Sequence, residues 1–213
     1  TKLHENIYRT VNISLVNEMK IISEKFGLNI NEIINAAKTK PFGFNAFYPG
    51  PGIGGHCIPV DPFYLVWAAK KKNVRTDFIN LSASINDRIS NWILNIVKKT
   101  LRKKKIKTRM KILAVGLSYK KNVDDTRESP SFKIIEKLLK AKFEVKYYDP
   151  FFKKFPKQRN YKFKLNPVKL NRKNILNFDA VIILTNHDNI NYKLIENNAK
   201  FIFDTRGVIK KNS

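Results

Sequence analysis

The hydrophobic pattern of this 213-residue chain changes period once, near Arg109, and that change limits what the chain can fold into. Before it, Leu3, Ile7, Val11, Leu15, Met19, Ile22 and Phe26 recur every three or four positions. That spacing marks an amphipathic helix. After it come short apolar runs: 111–115, 143–148, 180–184 and 201–203. Strands that alternate with helices build a parallel, doubly wound sheet, and such sheets bind ligands beyond the carboxyl ends of their strands. The expected fold class is α/β, with a helical unit over residues 1–107 followed by a doubly wound sheet unit over residues 108–213. The polar, basic segment Thr100 to Arg109 marks the junction.

The first helix is expected to end at Gly27. A second starts after Asn29, where Asn29-Ile-Asn-Glu32 forms a capping box, and carries Ile30, Ile33, Ile34 and Ala37. A third starts near Pro62, with Asp61 as its cap and Phe63, Leu65, Val66 and Trp67 inside. A fourth spans about Leu81 to Leu101, with Ile85, Ile89, Ile93, Ile96 and Val97 on one side, and its length suits a connector between domains. In the second half, Ser129-Pro130 opens a helix that holds Ile134, Ile135, Leu138 and Leu139. So much apolar helix in the first hundred residues points to a homodimer.

Chemistry concentrates between Tyr48 and Tyr64. This stretch holds four of the eight glycines, four of the nine prolines and the single cysteine, Cys57. Gly and Pro at this density fix unusual backbone angles and allow close approach of a ligand. A thiol just ahead of a helix N-terminus ionises readily, as a nucleophile must. A lone cysteine in a tight loop can also be a buried structural residue; the glycine cradle and Asp61, four positions on, favour the nucleophile. Gly50-Pro-Gly52-Ile-Gly54-Gly55 matches the dinucleotide pattern G-x-G-x-x-G by letters alone. That fingerprint must follow a strand and open a helix. The residues 40–47 do not read as a strand, and Pro51 interrupts the turn, so the fingerprint is rejected.

The net charge of +25 is uneven: residues 1–100 carry 13 Lys and Arg against 7 acidic residues, and residues 101–213 carry 29 against 10. A basic half suits nucleic acid, a membrane surface or small anions. The cluster Lys99 and Arg102 to Lys105 lacks interleaved aromatics for base stacking, which argues against nucleic acid. No apolar run approaches the roughly 20 residues of a membrane span. One cysteine forms no internal disulfide, in keeping with a reducing cytoplasm. His4, His56 and His187 are too scattered for a metal site of recognisable spacing.

The cysteine stretch, in the form Gly54-Gly-His-Cys-Ile-Pro-Val-Asp-Pro62, resembles the cysteine loop of the UDP-glucose/GDP-mannose dehydrogenase family of nucleotide-sugar dehydrogenases. It is most like members that act on UDP-N-acetylhexosamines, UDP-N-acetylglucosamine in particular, ahead of UDP-N-acetylmannosamine or UDP-glucose. The resemblance extends to Lys2-Leu-His-Glu-Asn6, to Gly116–Pro130 and to Asp204-Thr-Arg206-Gly207. It implies a helical central dimerisation domain followed by a Rossmann-like UDP-sugar-binding domain.

It also implies residue roles. Cys57, Lys2, Asn6 and Asp61 are catalytic: the thiolate captures a C6 aldehyde, Lys2 and Asn6 stabilise oxyanions, and Asp61 positions or deprotonates water. Tyr48, Gly50, Gly52, Gly54, Tyr119, Lys120 and Arg206 contact the substrate. Arg127 reaches the pyrophosphate of NAD, and Cys57 borders that cofactor. Two NAD per turnover would take the C6 alcohol to a carboxylate, as polysaccharide precursors require. The family's N-terminal NAD-binding domain has no counterpart ahead of Lys2, so this polypeptide alone is expected to be inactive. Two readings of other classes stay open, a non-catalytic dimerisation and UDP-binding module and a basic nucleic-acid-binding protein.

Overall fold

A computed structural model describes residues 1–102 and 110–209. Four helices come first: α1 (Lys2–Lys25), α2 (Ile30–Ala37), α3 (Asp61–Lys70) and α4 (Asp77–Arg102). The α/β part follows as β1 (Lys111–Val115), α5 (Pro130–Lys140), β2 (Glu144–Tyr148), α6 (Arg172–Leu176), β3 (Ala180–Ile183), α7 (Tyr192–Asn198) and β4 (Ile202–Asp204). Most of the basic junction lies outside the described residues.

The strands form one parallel sheet in the order β2-β1-β3-β4. The chain winds from β1 out to β2, then returns across β1 to β3, so the winding direction reverses between β1 and β3. That reversal is the point where doubly wound sheets open a ligand crevice. Alternate residues of β1 enter different layers. Ile112 and Ala114 pack with α5 and with Ile89, Ile93, Val97 and Leu101 of α4. Leu113 and Val115 pack with Ile175 of α6 and Ile195 of α7. The second half of the connector helix therefore supplies one cover of the sheet.

Caps set the helix starts. Asn29 caps α2 as expected, its Oδ1 accepting from Asn31 N (3.0 Å), but the capping box is corrected: Glu32 accepts from the Asn29 side-chain Nδ2 (2.9 Å), a side chain–side chain bond in place of the reciprocal backbone one. Ser129 caps α5 through Ser131 N, with Pro130 in the first turn. The expected cap of α3 is corrected: Val60 is the cap, and Asp61 already lies in the first turn. The Asp61 carboxylate turns instead toward Asn6. Helix α4 starts four residues earlier than its apolar run. Sequence reading named neither α6 nor α7; both are short, and Asn171 and Asn191 cap them.

Helix α1 buries its polar face. Asn6, Thr10, Ser14 and Asn17 are buried, whereas Leu15, Met19, Ile22 and Phe26 are exposed, Phe26 to 76%. Asn17 Nδ2 donates to Asn86 Oδ1 on α4 (3.1 Å), and Ser14 Oγ donates to Ser82 O (2.9 Å). Hydrogen-bonded partners offset the cost of burying these groups.

Where the sheet loops meet, Asp149 is buried just beyond β2. Its carboxylate accepts from Leu117 N (2.6 Å), Phe151 N (2.8 Å) and His187 Nε2 (3.3 Å). Burial alone would raise its pKa, but these three hydrogen bonds outweigh burial and hold it below the usual value of 3.8. A carboxyl lowered in the folded state contributes stability above its unfolded pKa and loses it as pH falls through the folded value. Asp149→Asn is expected to cost about 2 kcal/mol at pH 7 and to flatten the loss of stability below about pH 4. Urea titrations across pH test this; a variant as stable as the parent at pH 7 would contradict it.

Candidate active site at the cysteine loop

The loop between α2 and α3 is fastened on two sides. On the helical side, Asn17 Oδ1 accepts from Gly50 N (2.9 Å), and Thr10 Oγ1 lies 3.3 Å from the Ile58 carbonyl. On the sheet side, Gly55 N donates to Arg127 O (3.0 Å). No strand precedes Gly50, and the residues 44–50 hold no regular structure. The dinucleotide fingerprint is thus absent from the backbone as well.

Neighbouring protein crowds the glycines of this loop. A Cβ on Gly54 would lie 2.8 Å from Glu128 O, Pro130 Cδ and Tyr119 Cβ. Gly55 has φ +94, and a Cβ there would meet the Tyr119 ring at 3.0 Å. One on Gly52 (φ +135) would meet Pro130, and one on Gly50 would meet the Arg206 guanidinium at 2.7 Å. The close approach at these glycines is made by residues of the sheet unit.

Lys2, Asn6 and Asp61 come together. Asn6 Nδ2 donates to Asp61 Oδ2 at 2.7 Å, and Lys2 Nζ lies 3.9 Å from the same oxygen. Arg9, which sequence reading missed, donates to Asn6 Oδ1 and so fixes the amide. Cys57 is half-buried and joins this group through its backbone: its carbonyl accepts from Asp61 N (2.8 Å) and Val60 N (3.1 Å). Its Sγ lies 4.0 Å from His56 Nδ1.

The remaining predicted residues divide. Tyr119 rests on the cysteine loop, and Lys120 follows it, exposed. Arg127 grips Asp125 through Nε (3.0 Å) and Nη2 (2.7 Å). That pairing raises the arginine's pKa, with smaller contributions from Tyr119 and Cys57. Arg206 runs back over β3, and its Nε donates to Leu184 O (2.8 Å). Burial presses its pKa down to about 10, opposed by Asp204 and Tyr192, so it stays charged at neutral pH. The Tyr48 side chain is not brought to this group; its hydroxyl donates to Asn35 Oδ1 (2.8 Å) on α2. A cavity of about 390 Å³ borders the same loop, between Ile58, Pro62, Asn86, Pro130 and Tyr161, and of the predicted residues only Gly52 lines it.

Sequence reading also missed Asn17, Thr10 and Lys20. The signal was present, because Asn6, Thr10, Ser14 and Asn17 recur at helical spacing.

Residues 1–88 match the central domain of the UDP-glucose/GDP-mannose dehydrogenase family, and residues 113–211 match its UDP-binding domain. The chain belongs to that family. It is 37% identical over 218 residues to a UDP-N-acetyl-D-mannosamine dehydrogenase of Methanocaldococcus jannaschii, covering 99% of this chain and 47% of the relative. It superposes on the UDP-D-ManNAc dehydrogenase of Pyrococcus horikoshii with a TM-score of 0.79 at 33% identity, over 98% of this chain and 48% of the other. The UDP-N-acetyl-mannosamine dehydrogenase of Staphylococcus aureus gives 0.76 at 32% identity, over 99% and 48%. The chain thus spans about half the length of the relatives it matches.

Gly54→Ala tests the clamp. The added methyl meets backbone and a proline, so destabilisation of about 1–3 kcal/mol is expected. At Gly27, a Cβ meets nothing within 4 Å and the φ of +71 alone resists alanine; about 1 kcal/mol is expected there. Equal costs in denaturant titration would remove the claim that protein contact dictates Gly54.

Proposed function

We propose that this chain binds substrate and carries the covalent chemistry of an NAD-dependent nucleotide-sugar 6-dehydrogenase acting on a UDP-N-acetylhexosamine. The names of the relatives favour UDP-N-acetylmannosamine over UDP-N-acetylglucosamine and UDP-glucose. The observation that carries the reading is the Lys2–Asn6–Asp61 group beside Cys57, on a loop clamped to Tyr119 and Arg127.

In this reading, Tyr119, Lys120 and Arg206 hold the nucleotide diphosphate and sugar, with the main chain at Gly50, Gly52 and Gly54 along one edge. Arginine and lysine suit diphosphate oxygens. The Cys57 thiolate adds to the C6 aldehyde, forming a C–S bond and an oxyanion. Lys2 and the Asn6 amide stabilise that oxyanion. At the thioester stage, Asp61 orients water; attack by that water breaks the C–S bond, and the sulfur leaves as thiolate while the carboxylate forms.

NAD, when bound, accepts the hydrides of the two oxidations. Arg127 is the group here suited to its pyrophosphate, and a diphosphate would compete with Asp125 for it. No glycine fingerprint follows any described strand. The chain alone is therefore expected to bind UDP and to form no uronate. No described helix is long and apolar enough to cross a membrane, and a free thiol nucleophile fits a reducing cytoplasm.

The test uses the chain expressed with the coding sequence upstream of Thr1. Cys57→Ala should lower uronate production at least about 10³-fold and leave UDP affinity by calorimetry within about twofold. Arg206→Ala should weaken UDP about tenfold or more. Near-parental turnover without the thiol would refute covalent capture, and unchanged UDP affinity without Arg206 would refute the binding assignment.

The homodimer belongs to the same reading. The exposed stripe of Leu15, Met19, Ile22 and Phe26, with Trp67 and Phe78 also exposed, is apolar surface of the kind partner chains cover. Sedimentation at about 20 µM should find a dimer; monomer alone would count against it.

A further inference from the structure

Tyr119 and Lys120 sit between two anchors. At the first, Thr185 Oγ1 donates to Ser118 O (2.5 Å), and Ser118 Oγ donates to Val123 O (2.7 Å). At the second, Asn122 N donates to His187 Nδ1 (2.9 Å). Asn122 is held there with φ +59, a left-handed conformation that asparagine tolerates. Its side chain closes on Asp188, accepting from Asp188 N (2.9 Å) and donating to the carboxylate (2.5 Å).

His187 is fully buried. A backbone N–H only donates, so Nδ1 must present its lone pair to Asn122. The ring proton then lies on Nε2 and points at the Asp149 carboxylate, 3.3 Å away. Asp149 is itself fixed by Leu117 N and Phe151 N, and Tyr192 Oη donates to the His187 carbonyl (2.9 Å). An unbroken set of hydrogen bonds runs from Asp149 through the imidazole to the loop two residues beyond Lys120.

We propose that His187, as the Nε2-protonated tautomer, is a positioning residue that sets Lys120 and Tyr119 for the nucleotide diphosphate through the Asn122 N–H, without touching the ligand. This rests on the reading that Lys120 contacts the diphosphate. A histidine that only filled the core would not depend on which nitrogen accepts.

Two substitutions separate the ring's two functions. His187→Asn sets a carbonyl oxygen near the Nδ1 position and gives up the contact to Asp149. His187→Gln reaches toward Asp149 and leaves the Asn122 N–H unpaired. Both lose packing, so both should melt lower than the parent. UDP affinity of the 213-residue chain, by calorimetry, should fall about tenfold in His187→Gln and stay within about threefold in His187→Asn. Equal weakening in the two, or none in either, would overturn the proposal. Lys120→Ala separates the two levels: unchanged UDP affinity there refutes the diphosphate reading itself, whereas a weakened Lys120→Ala with an unaffected His187→Gln refutes positioning alone. Ring nitrogen NMR on the parent needs no variant. It should find the proton on Nε2 at neutral pH, and an Nδ1-protonated or doubly protonated ring would overturn the assignment.

Discussion

The hydrogen bond from Gly55 N to Arg127 O joins two loops from opposite halves of the chain, and the geometry of the candidate site depends on it. Backbones that approach this closely exclude side chains, which is why Gly54 and Gly55 face Tyr119, Glu128 and Pro130 with no room for a Cβ. The cysteine loop belongs to neither half alone. Its start hangs from Asn17 on α1, its middle rests on the sheet loop, and its end feeds α3 through Asp61. Any change in how the helical unit sits on the sheet would move Cys57 relative to Tyr119 and Arg127 together.

The helical unit is held together internally by a polar seam. Asn6, Thr10, Ser14 and Asn17 lie between α1, α4 and the cysteine loop, and their partners are specific. Apolar contacts tolerate sliding, whereas buried amides and hydroxyls cost free energy when unpaired, so such a seam favours one register. The same arrangement turns the apolar stripe of α1 outward. The face that organises the site and the exposed apolar face are opposite sides of one helix.

The fold class was legible because periodicity reports burial well in a sheet covered on both sides. All four strands lie within a residue or two of the expected runs. Caps with a side-chain signature, Asn29 and Ser129, were legible as well. Asp61 was misread because its position suits a cap, while its carboxylate finds a stronger partner in Asn6, 55 residues away in sequence. No local rule contains that contact. The α1 stripe shows the converse limit: helical periodicity locates an apolar face and says nothing about whether the chain itself covers it. The buried Asp149–His187 pair was missed for a similar reason. The two residues are 38 positions apart and meet only because β2 and β3 flank β1.

The electrostatics around Arg206 bear on what the crevice accepts. Lys20 reaches in from α1 and donates to Thr205 O (3.3 Å), one residue from Arg206. Burial lowers the pKa of Lys20, Asp204 and Glu24 raise it, and the charge on Arg206 lowers it further. Asp204 stands nearby, yet its oxygens accept from Arg206 N, Gly207 N and Ile209 N and shape the turn. Among the described residues, no carboxylate lies within ion-pair distance of either cation. Two partly buried positive charges, of which Arg206 depresses Lys20 and neither is neutralised by a carboxylate partner among the described residues, leave a demand for negative charge. Their partial burial favours a small anion over a polymer backbone, which engages cations that project from the surface. The proposed diphosphate role of Arg206 then has a physical basis, a partly buried cation without a carboxylate in ion-pair distance among the described residues.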